Sequence, residues 1–92
     1  MEFEWDQWKA ASNLRKHNIS FSFAALAFDD LNGIHELNDG GWPEEERSSL
    51  LGLADGTVLK VIYVEKEIKI RLISARKATR HERETYFRKN AS

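Results

Sequence analysis

The sequence predicts an α+β fold, a mostly antiparallel sheet with two helices before it and one after, in the order β-α-α-β-β-β-β-α. Three observations carry that prediction. Capped stretches of helical periodicity lie on either side of Asn18, Asp55-Gly56 joins two β-rich runs, and Thr79-x-x-Glu82 reads as the capping box of a closing helix.

Glu2-Phe3-Glu4-Trp5 alternates polar and apolar, which suits a short half-buried strand. Asp6 then caps a helix running to about His17, with Trp8, Ala11 and Leu14/Arg15 as its inward stripe. Trp5 and Trp8 are therefore expected in the core. Arg15-Lys16-His17 places positive charge at the helix end that favours it, and Asn18 suits the left-handed closing conformation. Ser20 caps a second helix with Phe21, Ala24, Ala25 and Phe28 on one face, ended by Asp29-Asp30 and Asn32-Gly33.

Ile34 to Asn38 reads as a weak strand, and Asp39-Gly40-Gly41-Trp42-Pro43 as a loop. Arg47 to Ala54 and Thr57 to Glu65 flank the hairpin turn at Asp55-Gly56. Val58-Leu59 and Val61 to Val64 are apolar on both faces, so that strand is expected at the centre of the sheet. After Glu65-Lys66-Glu67, Ile68, Ile70 and Leu72 should face one way and Lys69, Arg71 and Ile73 the other. Ser74 to Thr79 reads as a basic turn, and a helix from about Arg80 to Lys89 closes the domain.

Ninety-two residues, 41% of them hydrophobic, make one small domain spanning residues 1–92. The absence of cysteine excludes disulfides, thiolate zinc sites and cysteine nucleophiles. No apolar run reaches the roughly 18 residues of a membrane span, and the acidic N-terminus is unlike a signal peptide, so a cytoplasmic protein is expected. The net charge of −1 conceals an asymmetry. Residues 1–59 carry four Lys/Arg against eleven Asp/Glu, while residues 60–92 carry ten against four. A basic end of that kind can hold a polyanion even in a near-neutral protein, because screening acts over about 8 Å.

The basic turn is the most informative stretch. Arg76 and Lys77 precede the capping box and Arg80 follows Thr79, three cations at the positive end of a helix dipole. An anion would be stabilised there by free N–H groups and basic side chains. Lys69 and Arg71 extend this charge along the preceding strand, which suits an RNA backbone. Trp42 and Tyr86 are the aromatics placed to stack a base or position a phosphate. His17, His35 and His81 are scattered, and no histidine or carboxylate spacing matches a metal site. Neither a metal nor a cofactor is expected.

These residues, in this order and spacing, resemble the BrnT family, the toxin halves of bacterial type II toxin–antitoxin pairs. The likeness includes Trp5-Asp6, Asn13, Lys16-His17-Asn18-Ile19, Phe21 and Phe28-Asp29-Asp30. It continues through Glu46-Arg47, Gly52 and Arg71-Leu72-Ile73-Ser74-Ala75-Arg76-Lys77-Ala78-Thr79, with Glu82, Arg83 and Tyr86. The resemblance implies a RelE-like ribonuclease fold, RNA cleavage that blocks translation, and neutralisation by a ribbon-helix-helix antitoxin of the BrnA type. One departure is Trp42, which stands near the place where many relatives carry a histidine.

The expected function is a metal-independent endoribonuclease in which a ribose 2′-hydroxyl attacks the adjacent phosphate. Arg47, Arg71 and Arg76 would stabilise the phosphate, and Lys16 or His17 would handle protons. Lys69, Lys77, Arg80, Tyr86 and Trp42 would bind RNA. The alternative is a non-catalytic module that binds RNA or antitoxin.

Overall fold

The computed structural model describes residues 1–38 and 46–91. The expected loop from Asp39 to Pro43, and with it Trp42, lies outside the described residues. The elements follow the predicted order: β1 (Glu2–Glu4), α1 (Gln7–His17), α2 (Phe21–Ala24), β2 (Ile34–Asn38), β3 (Arg47–Ala54), β4 (Thr57–Glu65), β5 (Lys69–Lys77) and α3 (Arg80–Lys89). The strands form one sheet in the order β1-β5-β4-β3-β2, with β4 at its centre. Its pairings are antiparallel except for β1, which runs parallel to β5 with Glu2 opposite Lys69 and Glu4 opposite Arg71.

The β3–β4 hairpin turns on Asp55 and Gly56, both at positive φ (48° and 85°), the backbone that a two-residue turn between twisted strands requires. The second helix is shorter than expected. After Ala24 the chain tightens into a 3-10 turn over Ala25–Asp29. With three residues per turn, Phe21, Ala24 and Ala27 stay in line, and all three are buried. Gly52 of β3 lies under this turn, where a Cβ would come within 2.8 Å of the Ala27 carbonyl oxygen.

Helix α1 is capped as predicted, Asp6 Oδ1 accepting from the N–H groups of Trp8 (2.8 Å) and Lys9 (3.0 Å). It closes at Asn18, φ 57°, whose N–H donates to Leu14 O. Its buried face is not the expected one. Trp8 is 75% exposed and Leu14 half exposed, and Trp5 lies at the core boundary, edge-on to Phe21. Asn13 is the buried residue of the helix instead. The reason is the edge of β5. Strand β1 covers only Lys69 to Arg71, so the backbone beyond needs another partner. Asn13 supplies it: Oδ1 accepts from Ala75 N (3.0 Å), and Nδ2 donates to Ala75 O (2.8 Å) and Ile19 O (2.9 Å). Those bonds fix the rotation of α1 and turn Trp8 outward.

The sheet carries a core on each face. Ile19, Phe21, Ala24 and Ala27 pack on Leu50, Ala54, Leu59, Val61, Tyr63, Leu72 and Ala75. On the other face, Tyr86 of α3 and Ala78 pack with Leu51 and Val58. Asp30 stitches the layers together across the sheet end, accepting from Leu53 N (2.8 Å), Asn32 N (2.9 Å) and the Tyr86 hydroxyl (2.5 Å).

Strand β5 departs from the expected alternation and absorbs the basic turn as far as Lys77. Ile62 pairs with Ser74 but Tyr63 pairs with Leu72, so β5 carries one extra residue at this point. The bulge puts Leu72 and Ala75, three apart, on the same core face.

Candidate active site

Helix α1 and the free part of the β5 edge leave a groove between them. Two clefts, of about 340 and 250 Å³, follow one another along it, and Lys9 and Ile73 line both. The first is walled by Glu4, Trp5, Asp6 and Arg71. The second is walled by Ser12, Asn13, Lys16, His17 and Ser74. Residues separated by more than fifty positions thereby meet in one trough. Lys16 and His17 reach it because Lys9, Asn13 and Lys16 recur at i, i+4 and i+7 on the helix side turned to β5.

Arg71 enters the groove with a fixed orientation. Its Nε donates to Glu4 Oε2 (2.9 Å), and Glu4 Oε1 lies 3.9 Å from Lys69 Nζ. Among the described residues the two terminal amino groups of Arg71 make no hydrogen bond, so the planar fork remains available for two phosphate oxygens.

Arg76 is held differently. Nη1 donates to Glu82 Oε1 (2.7 Å) and Nη2 to Glu82 Oε2 (3.0 Å). Lys60, its neighbour across the β4–β5 pair, lies 3.9 Å from the same carboxylate. Glu82 also accepts from Thr79 N while Thr79 Oγ1 accepts from Glu82 N, completing the predicted capping box. The Arg76 guanidinium, burial notwithstanding, and the Thr79 N–H hold the Glu82 carboxyl down to about 2. The expectation that cations gather at this helix start without an anion is thus corrected. The protein's own carboxylate occupies the place foreseen for phosphate.

The remaining expected residues are dispersed. Arg47 begins β3, opposite Asn38 of β2, with β4 between it and β5, and does not line the groove. Lys69 is tied to Glu4, Lys77 ends β5 exposed, and Arg80 pairs with Glu84 one turn on (3.2 Å). Tyr86 is corrected from a ligand contact to a core residue. It is 2% exposed and its hydroxyl is bound to Asp30, because α3 docks through it.

One pair escaped sequence reasoning. His35 Nδ1 lies 2.8 Å from the Tyr63 hydroxyl, 28 residues away, beside Phe28. Burial and then the charge of Glu65 push the Tyr63 phenol up. Only the β2–β3–β4 pairing brings these rings together, so spacing along the chain gave no signal. They line a larger cleft, of about 530 Å³, whose other walls include Glu36, Glu46 and Glu65. Three carboxylates make that cleft a poor place for a phosphate. The groove at β5 is the better candidate, although each of its two clefts is smaller.

The family model described as the ribonuclease toxin BrnT of a type II toxin–antitoxin system matches residues 5–82. The chain belongs to the BrnT family. It is thus a ribonuclease toxin of a toxin–antitoxin pair, with RNA as its target and an antitoxin as its partner. The match takes in the groove residues from Trp5 to Ser74, starting one residue after Glu4, and reaches Glu82 of the capping box. No curated protein matches the chain. Among the described residues no group of three or more His, Asp or Glu side chains could hold a metal ion, and no helix is long and apolar enough to cross a membrane.

Proposed function

We propose that this BrnT chain cleaves RNA in the groove along β5, by attack of a ribose 2′-hydroxyl on the adjacent phosphate. That displacement needs a base at the 2′-hydroxyl, cations on the non-bridging oxygens and a proton donor at the departing 5′-oxygen. The observation that carries the reading is Arg71, oriented by Glu4 through Nε with its fork unengaged, in the same trough as Lys16 and His17. Arg71 takes the phosphate oxygens, and Lys16 and His17 share the proton transfers. Arg76, on the same sheet face as Arg71, sets the charge of the neighbouring surface while it holds Glu82. Arg47 contributes field from β3. The donor set supports chemistry without a metal ion, since two cationic side chains and a histidine supply each role.

The antitoxin is proposed to be a ribbon-helix-helix protein of the BrnA type, acting with the toxin in the cytoplasm, where translated RNA is found. Co-expression with the neighbouring reading frame tests the partner. A single co-purifying peak supports it, and two separate peaks at micromolar concentration oppose it. For the site, Arg71→Ala and His17→Ala should relieve growth inhibition and stop cleavage of total RNA by folded protein. Undiminished cleavage by the double variant would refute it.

A further inference from the structure

The first cleft of the groove holds two side chains that the cleavage chemistry does not use, Trp5 and Lys9. Trp5 is expected in the core but remains 38% exposed. Its ring packs nearly perpendicular to the Phe21 ring, centroids 5.9 Å apart at 76°, and Phe21 is only 2% exposed. The indole is therefore braced from below by a buried ring. The segment carrying it is fixed on both sides. Glu4 pairs with Arg71 across the parallel β1–β5 ladder, and Asp6 caps α1. A rigid aromatic of this kind loses little conformational freedom when something stacks on it.

Lys9 lies where the two clefts join. Seven residues before Lys16, it stands about 10 Å from it along the helix axis, on the same side. The carboxylates on this wall do not oppose an incoming phosphate as free charges. Glu4 is engaged by Arg71 and Lys69, and Asp6 by the first N–H groups of α1.

We propose that this cleft is a nucleotide subsite for single-stranded RNA beside the scissile phosphate, with a base stacked on Trp5 and the neighbouring phosphate on Lys9. The inference rests on the groove reading above and extends it. It makes the toxin's substrate an unpaired strand, since a base held in a helix cannot reach the indole.

The test measures binding of a short 2′-O-methyl RNA oligonucleotide, which this mechanism cannot cleave, to the wild-type chain and to Trp5→Ala, Trp5→Phe, Lys9→Ala and Trp8→Ala. Trp5→Ala should weaken binding roughly 5- to 150-fold, the range of one base–aromatic stack, with Trp5→Phe between it and wild type. Lys9→Ala should weaken binding at low salt and make the logarithmic salt slope shallower by about 0.7. Trp8→Ala, altering a ring that is 75% exposed and lines neither cleft, should bind as wild type does. Equal affinity of the wild type and a folded Trp5 variant overturns the proposal. So does Trp5→Ala that keeps RNA affinity and loses the antitoxin, since Trp5 would then be a protein-docking residue. If Trp5→Ala fails to fold, Trp5→Phe decides. The subsite and the cleavage site fail separately. Lost cleavage in Arg71→Ala with normal binding in Trp5→Ala sinks the subsite alone. Weakened binding in Trp5→Ala with undiminished cleavage in the Arg71→Ala/His17→Ala double variant sinks the cleavage site alone.

Discussion

Arg71 and Arg76 sit on the same face of the sheet although five residues separate them. Strict alternation along a strand would put them on opposite faces. The extra residue of β5 between its pairings to Tyr63 and Ile62 reverses the parity, so that Arg71 lies opposite Val64 and Arg76 opposite Lys60. Their partners then divide them. Glu4 takes one nitrogen of Arg71 at Nε, whereas Glu82 takes both terminal nitrogens of Arg76. Two equal charges on one surface have become a ligand-ready fork and a structural clasp.

That difference predicts unequal consequences of substitution. Arg71→Ala should lower the cleavage rate about 100-fold or more, the usual effect of removing one donor aimed at developing charge, with little change in the unfolding midpoint. Arg76→Ala should lower stability by about 1–3 kcal/mol, because it leaves a half-buried carboxylate without its fork. Its effect on cleavage should be the smaller of the two. Urea unfolding and single-turnover cleavage on the same preparations check both. The ranking fails if Arg76→Ala proves fully stable and as inactive as Arg71→Ala.

Asn13 carries the second prediction. Its amide satisfies the edge of β5 and the Ile19 carbonyl in place of a strand. Asn13→Ala leaves three backbone groups seeking water, at a cost of about 1–3 kcal/mol for each that stays buried. Asn13→Asp keeps the acceptor but sets a carboxylate against two carbonyl oxygens, and should be worse. A drop in urea midpoint with an unchanged slope is the expected result. The exposed β5 edge should also raise aggregation on heating, read by light scattering.

Much of this architecture was legible in the chain. The capping residues Asp6, Ser20 and Thr79, the Asp55-Gly56 turn and the central position of β4 follow from local chemistry. What was hidden depends on distant partners. The inward face of α1 departs from the periodic stripe because Asn13, polar and unremarkable by periodicity, binds a residue 62 positions away. The bulge in β5 leaves no sequence signature, so the faces of Arg71 and Arg76 could not be assigned. Glu82 was recognised as a cap, yet its second role required the fold of Arg76 back onto it. Lys16 and His17 are expected from sequence as proton carriers and Arg71 as a phosphate ligand, and only the docking of α1 sets them along one groove.

Stability should fall at both pH extremes for identifiable reasons. Glu82 is held near 2 in the folded chain against 4.5 as an ordinary glutamate. Because the folded value is the lower, the stabilisation is present above about pH 4.5 and is lost as pH falls towards 2; it amounts to at most about 3 kcal/mol. Asp30 adds to the acid limb. Burial alone would raise it, but hydrogen bonds from Leu53, Tyr86 and Asn32 outweigh that and lower it. Tyr86 is pushed up to about 12 by burial and by Asp30. Its contribution is whole below pH 10 and fades as pH rises from 10 to 12. Glu82→Gln should therefore flatten the acid limb of a stability–pH profile, and Tyr86→Phe the alkaline one. An unchanged acid limb in Glu82→Gln would assign the loss to other carboxylates.

The final prediction concerns the chemistry. A groove lined by Arg71 in one cleft and by Lys16 and His17 in the next supplies groups that can activate and protonate without a divalent ion, and the nucleophile such a set can use most readily is the ribose 2′-hydroxyl. Cleavage should therefore survive excess EDTA. Its products should end in a 2′,3′-cyclic phosphate or 3′-phosphate with a 5′-hydroxyl on the other fragment. Replacing the 2′-hydroxyl by hydrogen at one mapped cut site should stop cleavage there and leave other sites cut. His17→Ala and Lys16→Ala then separate the proton carriers. The one that abolishes turnover while oligonucleotide affinity persists is the principal acid–base group, since a lost phosphate contact would weaken binding as well. Products ending in 3′-hydroxyl and 5′-phosphate, or activity abolished by EDTA and restored by magnesium, would show that a metal-activated water attacks instead and that the cations of the groove only bind.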